Sequence, residues 1–88
     1  MKKQYIITAK EANEMAEQSI SNFINDKTMK RVFNEIRNKA SFGYKSCRVV
    51  VDEIEVNLVV EVLKQFEYKT CVYDHRNRDN NNTITISW

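Results

Sequence analysis

The chain has 88 residues with a net charge of +2 from 14 basic and 12 acidic side chains. One domain fits that length, and a domain this small buries only about 60–65% of the surface its unfolded chain exposes. Hydrophobic residues at 42% and aromatics at 10% exclude a disordered tail, and the near balance of charge is unlike that of a dedicated non-specific DNA binder.

The N-terminus, Met1 to Glu11, reads MKKQYIITAKE, with only a short apolar patch at Tyr5, Ile6 and Ile7 before charges resume. It is not a signal peptide, and no apolar run reaches the roughly 18 residues of a membrane span. Thr8 and Glu11 have the spacing of a capping box. Apolar residues then recur at Ala12, Met15, Ala16, Ile20, Phe23 and Ile24, and again at Met29, Val32, Phe33, Ile36 and Ala40. At about 100° per residue the two stripes lie roughly 135° apart on the helical wheel. Either the chain turns at Asn25-Asp26-Lys27, with Asn25 or Asp26 as a new cap, or one long helix presents two faces to two partners. Two helices are the expectation adopted. Gly43, the single glycine, follows as a left-handed helix terminator.

Tyr44 to Val51 alternates as a strand, with Cys47, Val49 and Val51 on one face. Asp52 caps a third helix over about Glu53 to Phe66. Its apolar residues cover more than half the wheel, so it is expected to pack on several sides, against the other helices and the sheet or against another subunit. Tyr68 to Asp74 alternates again, with Cys71 and Tyr73 assigned to the inner face and Thr70 and Val72 to the outer. The polar tract His75 to Asn82 links it to a last strand, Thr83 to Trp88, whose Ile84, Ile86 and Trp88 share one face. The Trp88 ring should cover one end of the core. The expected class is α+β with order α-α-β-α-β-β. Its three-stranded mixed sheet holds two parallel strands from the β-α-β crossover, with the helices packed on one face. No repeat or linker is read, and the Asn-rich loop is the only low-complexity segment.

Three segments together resemble small proteins encoded by phages of Gram-positive bacteria: the opening ITAKEAN (Ile7 to Asn13), the EYKTCVYD run after the third helix (Glu67 to Asp74) and the closing TITISW (Thr83 to Trp88). The resemblance carries no active site, so no functional residue transfers. It implies viral origin, a host-cytoplasmic location and a non-essential or host-directed role. One departure is Glu67 before Tyr68, where such sequences often have glycine, which suggests a less sharp helix exit.

The chemistry-bearing residues are few. Cys47 and Cys71 fall on strands expected to be neighbours. They read as free, buried core thiols in a reducing cytoplasm, since no activating group sits beside them. There is no CxxC and one histidine, so zinc has no ligand set, and Asp74 and Asp79 lack calcium-loop spacing. No cofactor is expected. His75 has no nucleophile partner. Arg76 and Arg78 lie among asparagines, residue types that read base edges but are also ordinary in turns. Lys27, Lys30 and Arg31 share the side of the second helix opposite its apolar stripe, a solvated face or a phosphate-facing patch. The aromatics do not alternate with basic residues as an RNA-binding sheet requires.

Surplus apolar surface without a catalytic set favours binding over an enzyme. The expected function is a non-catalytic accessory protein, homo-oligomeric, that binds and modulates a host protein. The alternative is a small nucleic-acid binder using the 75–82 loop and the basic second helix. No membrane partner is expected.

Overall fold

The structure is a computed structural model and describes residues 6–74 and 81–88, with the backbone alone at Asp74. In chain order it contains α1 (Ala9–Phe23), α2 (Lys27–Ser41), β1 (Ser46–Asp52), a 3₁₀ turn (Glu53–Glu55), α3 (Val56–Gln65), β2 (Lys69–Asp74) and β3 (Asn81–Ser87). The class is α+β and the order is the expected α-α-β-α-β-β.

Local chemistry starts α1 and α2 where the sequence places them, whereas Asp52, expected to cap a helix from Glu53, caps the 3₁₀ turn instead and α3 begins at Val56 without a side-chain cap. The Glu11 amide donates to Thr8 Oγ1 and the Thr8 amide to Glu11 Oε1, both at 3.1 Å, so two of the orphan donors at the start of α1 are satisfied. Donation from the Thr8 amide, and then from the Thr8 hydroxyl at 3.0 Å, holds the Glu11 carboxyl below its usual range. The 9–41 stretch is two helices. Asp26 takes an extended backbone and accepts from the Thr28 amide at 3.0 Å, which starts α2 afresh. The buried Thr28 hydroxyl in turn donates to Glu55 Oε1 at 3.1 Å and pins α2 to the turn before α3.

Both α2 and α3 end in the same way. The Tyr44 amide reaches the Lys39 carbonyl and the Gly43 amide the Ala40 carbonyl. At the end of α3 the Tyr68 amide reaches Leu63 and the Glu67 amide Lys64. Each pair is a Schellman motif, which needs a left-handed residue between the helix and the strand. Gly43 fills that position at φ 87°, and Glu67 fills it at φ 67°. The exit from α3 is therefore as sharp as that from α2, contrary to the expectation drawn from the missing glycine. The helical end bonds decide the turn, and Glu67 accepts a conformation that costs an L-residue about 1–2 kcal/mol.

The sheet order is β1-β3-β2, and β3 pairs antiparallel with both neighbours. The expected mixed sheet is thus corrected to an antiparallel one. β1 and β2 do run in the same direction, but the β-α-β crossover leaves a gap one strand wide and β3 fills it. Cys47 and Cys71 consequently do not sit on neighbouring strands.

The face of β1 follows the alternation, with Cys47, Val49 and Val51 buried and Ser46, Arg48 and Val50 exposed. The face of β2 is the reverse of that expected. Thr70 and Val72 align with the buried Ile86 and Ile84, whereas Cys71 and Tyr73 align with Thr85 and Thr83 on the open face. In a strand a shift of one residue exchanges the two faces. Tyr68 decides between them: its ring packs between Phe33 and Trp88, with centroids 6.4 and 6.3 Å away, and carries the even-numbered residues inward. The Trp88 ring, expected to cover one end of the core, meets the partly buried Tyr68 edge-on but is 40% exposed and lies outside the core.

The core gathers Met29, Val32 and Ile36 from α2, Val59, Val62 and Leu63 from α3, and inward residues of β1 and β3, all on one face of the sheet. The wide apolar coverage of α3 is used within the chain, by the sheet on one side and by α1 on another. It therefore no longer argues for a second subunit. α1 is the outlier. Every residue from Ile6 to Ser19 is exposed, and Phe23 alone in this helix is buried. The radius of gyration is 15.7 Å, against about 12 Å for a compact chain of this length. α1 rests on α3 through Asn13, Ala16, Glu17 and Ile20, beside Asn57, Leu58 and Glu61, and its exposed N-terminal part forms an arm.

Two outcomes follow. Cys47 is buried and Cys71 exposed, and burial followed by the Glu35 carboxylate pushes the Cys47 thiol up. Native thiol titration should give one fast equivalent and one slow one, both fast after denaturation; Cys71→Ser should remove the fast phase. Glu67→Gly should stabilise the fold by about 1 kcal/mol, the left-handed penalty less the entropy cost of glycine. Thermal melting should show a rise of roughly 4–8 °C, and an unchanged or lower midpoint would mean that Glu67 is not strained.

Candidate functional site

The two helix exits carry one hexapeptide twice. Phe42 to Cys47 reads FGYKSC and Phe66 to Cys71 reads FEYKTC, with a spacing of 24 residues. The expectation of no repeat is corrected at this short range. Each phenylalanine caps its helix, each following residue is left-handed, and each tyrosine donates the closing amide bond. A hexapeptide this short escapes a search for 20–50-residue units. The common helix-ending role of its first three residues shows only once both turns are seen.

Sheet register brings the two copies together. Ser46 at the start of β1 and Lys69 at the start of β2 both align with Ser87 at the end of β3. Tyr44, Tyr68 and Trp88 therefore emerge at one end of the sheet, and the Trp88 amide donates to the Lys45 carbonyl at 3.1 Å. The rings form a row: Phe66 meets Phe33 edge-on at 5.9 Å, Phe33 meets Tyr68, and Tyr68 meets Trp88. Lys39 lies 5.2 Å from the Tyr44 ring centroid. Within the row Phe33 and Tyr68 pack on the core while Phe66 and Trp88, at its two ends, are 51% and 40% exposed, and Phe42 and Tyr44 are exposed nearby at the other helix exit. Exposed lysines Lys45, Lys64 and Lys69 belong to the same turns. Lys64 forms an ion pair with Glu61 at 3.4 Å.

This aromatic pole has a definite chemistry. Edge-to-face pairs add about 0.5–1.5 kcal/mol each beyond area burial, which holds the rings without a partner. Two helices direct their C-terminal, partially negative ends here, and the lysines offset that charge. The ring pairs Phe33–Phe66 and Tyr68–Trp88 are both close to perpendicular, at 86°. The row is thus not a flat platform on which successive bases stack. It is the kind of aromatic patch with a charged rim that anchors protein contacts.

The residues singled out from sequence are dispersed. His75, Arg76 and Arg78, with Asp79, lie outside the described residues. Lys27, Lys30 and Arg31 are exposed on α2, as the wheel places them. Arg31, however, donates from Nη2 to the Val50 carbonyl at 2.9 Å and so ties α2 to β1. Among the described residues no three His, Cys, Asp or Glu side chains group to hold a metal, and no helix is long and apolar enough to cross a membrane. The aromatic pole was missed because its members, each unremarkable alone, come from four segments; the repeated Phe-x-Tyr-Lys was the available signal. No family model, no curated protein and no solved structure matches the chain.

Proposed function

We propose that the chain is a non-catalytic accessory protein of phage type that acts in the host cytoplasm by binding a host protein through the aromatic pole. The observation that carries the reading is the row Phe66–Phe33–Tyr68–Trp88, assembled by the exit from α3, one ring of α2 and the residue after β3, and left open to solvent at its two ends, Phe66 and Trp88. Aromatic side chains already held in place lose little entropy on binding, and residues of this type dominate interface energetics. The lysines of the same turns favour a partner surface with an apolar centre and carboxylates around it.

Immobilised protein should retain a discrete protein from lysate of the host, and nuclease treatment should leave that retention unchanged. Phe66→Ala with Trp88→Ala should weaken it by about 30-fold or more, a loss of at least 2 kcal/mol as at other interface anchors, while circular dichroism shows the fold retained. Retention that nuclease abolishes would favour the nucleic-acid reading, and retention that the double variant leaves intact would remove the pole as the docking site.

A further inference from the structure

The exposed side of α1 and the outer side of α2 are chemically complementary and form no ion pair with each other among the described residues, although Glu11 accepts from Thr8 and Arg37 Nη1 donates to Asn34 Oδ1 at 3.2 Å. Ile6, Ile7 and Met15 form an exposed apolar ridge, with Met15 62% exposed, and Glu11, Glu14 and Gln18 line the same shallow groove. On α2 a second groove has Ile24 and Phe33 as its apolar residues and Lys30 and Arg37 beside them, with Asn34. α1 carries three glutamates and one lysine, whereas α2 carries five basic residues and one glutamate. Yet the ion pair Lys64–Glu61, on α3, is the one formed among the described residues. Glu14 on α1 and Lys30 on α2 form no ion pair among the described residues.

We infer that the α1 arm of one copy lies in the α2 groove of a second copy, and that the second copy returns its own arm to the first, in a reciprocal two-fold dimer. Three considerations converge on that occupant. An isolated helix of this length is marginal in water, and although one side of α1 lies beside Asn57, Leu58 and Glu61 of α3, its Ile6, Ile7 and Met15 side is exposed. Apolar ridge meets apolar groove while Glu11 and Glu14 meet Lys30 and Arg37, the arrangement that steers and registers an interface. A two-fold contact also uses each complementary pair twice. A standard interface buries about 800 Å² per partner, so each of the two equivalent contacts needs to cover only about half of that. Pairing arm with arm would instead oppose two acidic stripes. The groove shares Phe33 with the aromatic row, and Phe42, Tyr44, Tyr68 and Trp88 lie outside it, so the pole remains open in the dimer.

Sedimentation of the full chain at micromolar concentration and low salt tests the pairing. The parent should be dimeric, weakening as salt rises. Glu14→Lys alone and Lys30→Glu with Arg37→Glu alone should each raise the dissociation constant about tenfold or more. An equimolar mixture of these two variants should recover the dimer, because each reversed arm then meets a reversed groove and each native arm a native groove. A monomeric parent, variants that dimerise like the parent, or a mixture that stays monomeric would each overturn the inference. Arm-with-arm pairing has its own signature: Glu14→Lys would not weaken the dimer and the α2 variant would leave it unchanged. None of these outcomes bears on retention of a host protein through Phe66 and Trp88, so the two readings fail separately.

Discussion

The position of β3 between β1 and β2 is the constraint from which the rest of the molecule follows. It is the strand bonded along both edges, and its Ile84 and Ile86 are fully buried beneath the helices. Without β3 the β1-α3-β2 crossover would enclose a gap, and neither outer strand would have a partner among the described elements. Because β3 ends at Ser87 opposite both Ser46 and Lys69, it also fixes where the two helix exits meet. The aromatic pole is thus a by-product of register. Three ring-bearing ends converge because three strands are aligned at one end.

The exits themselves show how backbone bonds can outweigh residue preference. Gly43 and Glu67 occupy equivalent places in equivalent turns, although one is suited to a positive φ and the other is not. At Glu67 the closing bonds from Glu67 and Tyr68 to Lys64 and Leu63, together with the packing of the Tyr68 ring, offset the strain. The same ring sets the phase of β2. In β1 the buried Val49 and Val51 hold the odd-numbered residues inward, whereas in β2 Tyr68 draws the even-numbered ones inward. Two nearly identical hexapeptides therefore deliver one buried and one exposed cysteine.

Charge is distributed with equal economy. Basic residues concentrate on α2 and α1 is net acidic, while the core-facing sides of α2 and α3 carry the apolar load. The body can be stable with α1 largely outside it, because α1 contributes chiefly Phe23 and the adjoining Ile20 and Ile24 to the core.

The sequence by itself determined what depends on near neighbours. Thr8 and Glu11, Asp26, and Gly43 lie within a few residues of the amides and carbonyls they satisfy, so the helix boundaries and the break between α1 and α2 were legible. Strand alternation placed Cys47, Val49 and Val51 correctly for the same reason, since three apolar residues at period 2 leave one choice of face. Only the tertiary structure decided what depends on distant partners. YKTCVYD alternates almost equally well in either phase, and the deciding contact comes from Phe33 and Trp88. Sheet order was open because a crossover sets strand direction but not adjacency. The pole was invisible for a related reason: its rings are separated by up to 55 positions, from Phe33 to Trp88, and become one surface only when β3 brings β1 and β2 into register.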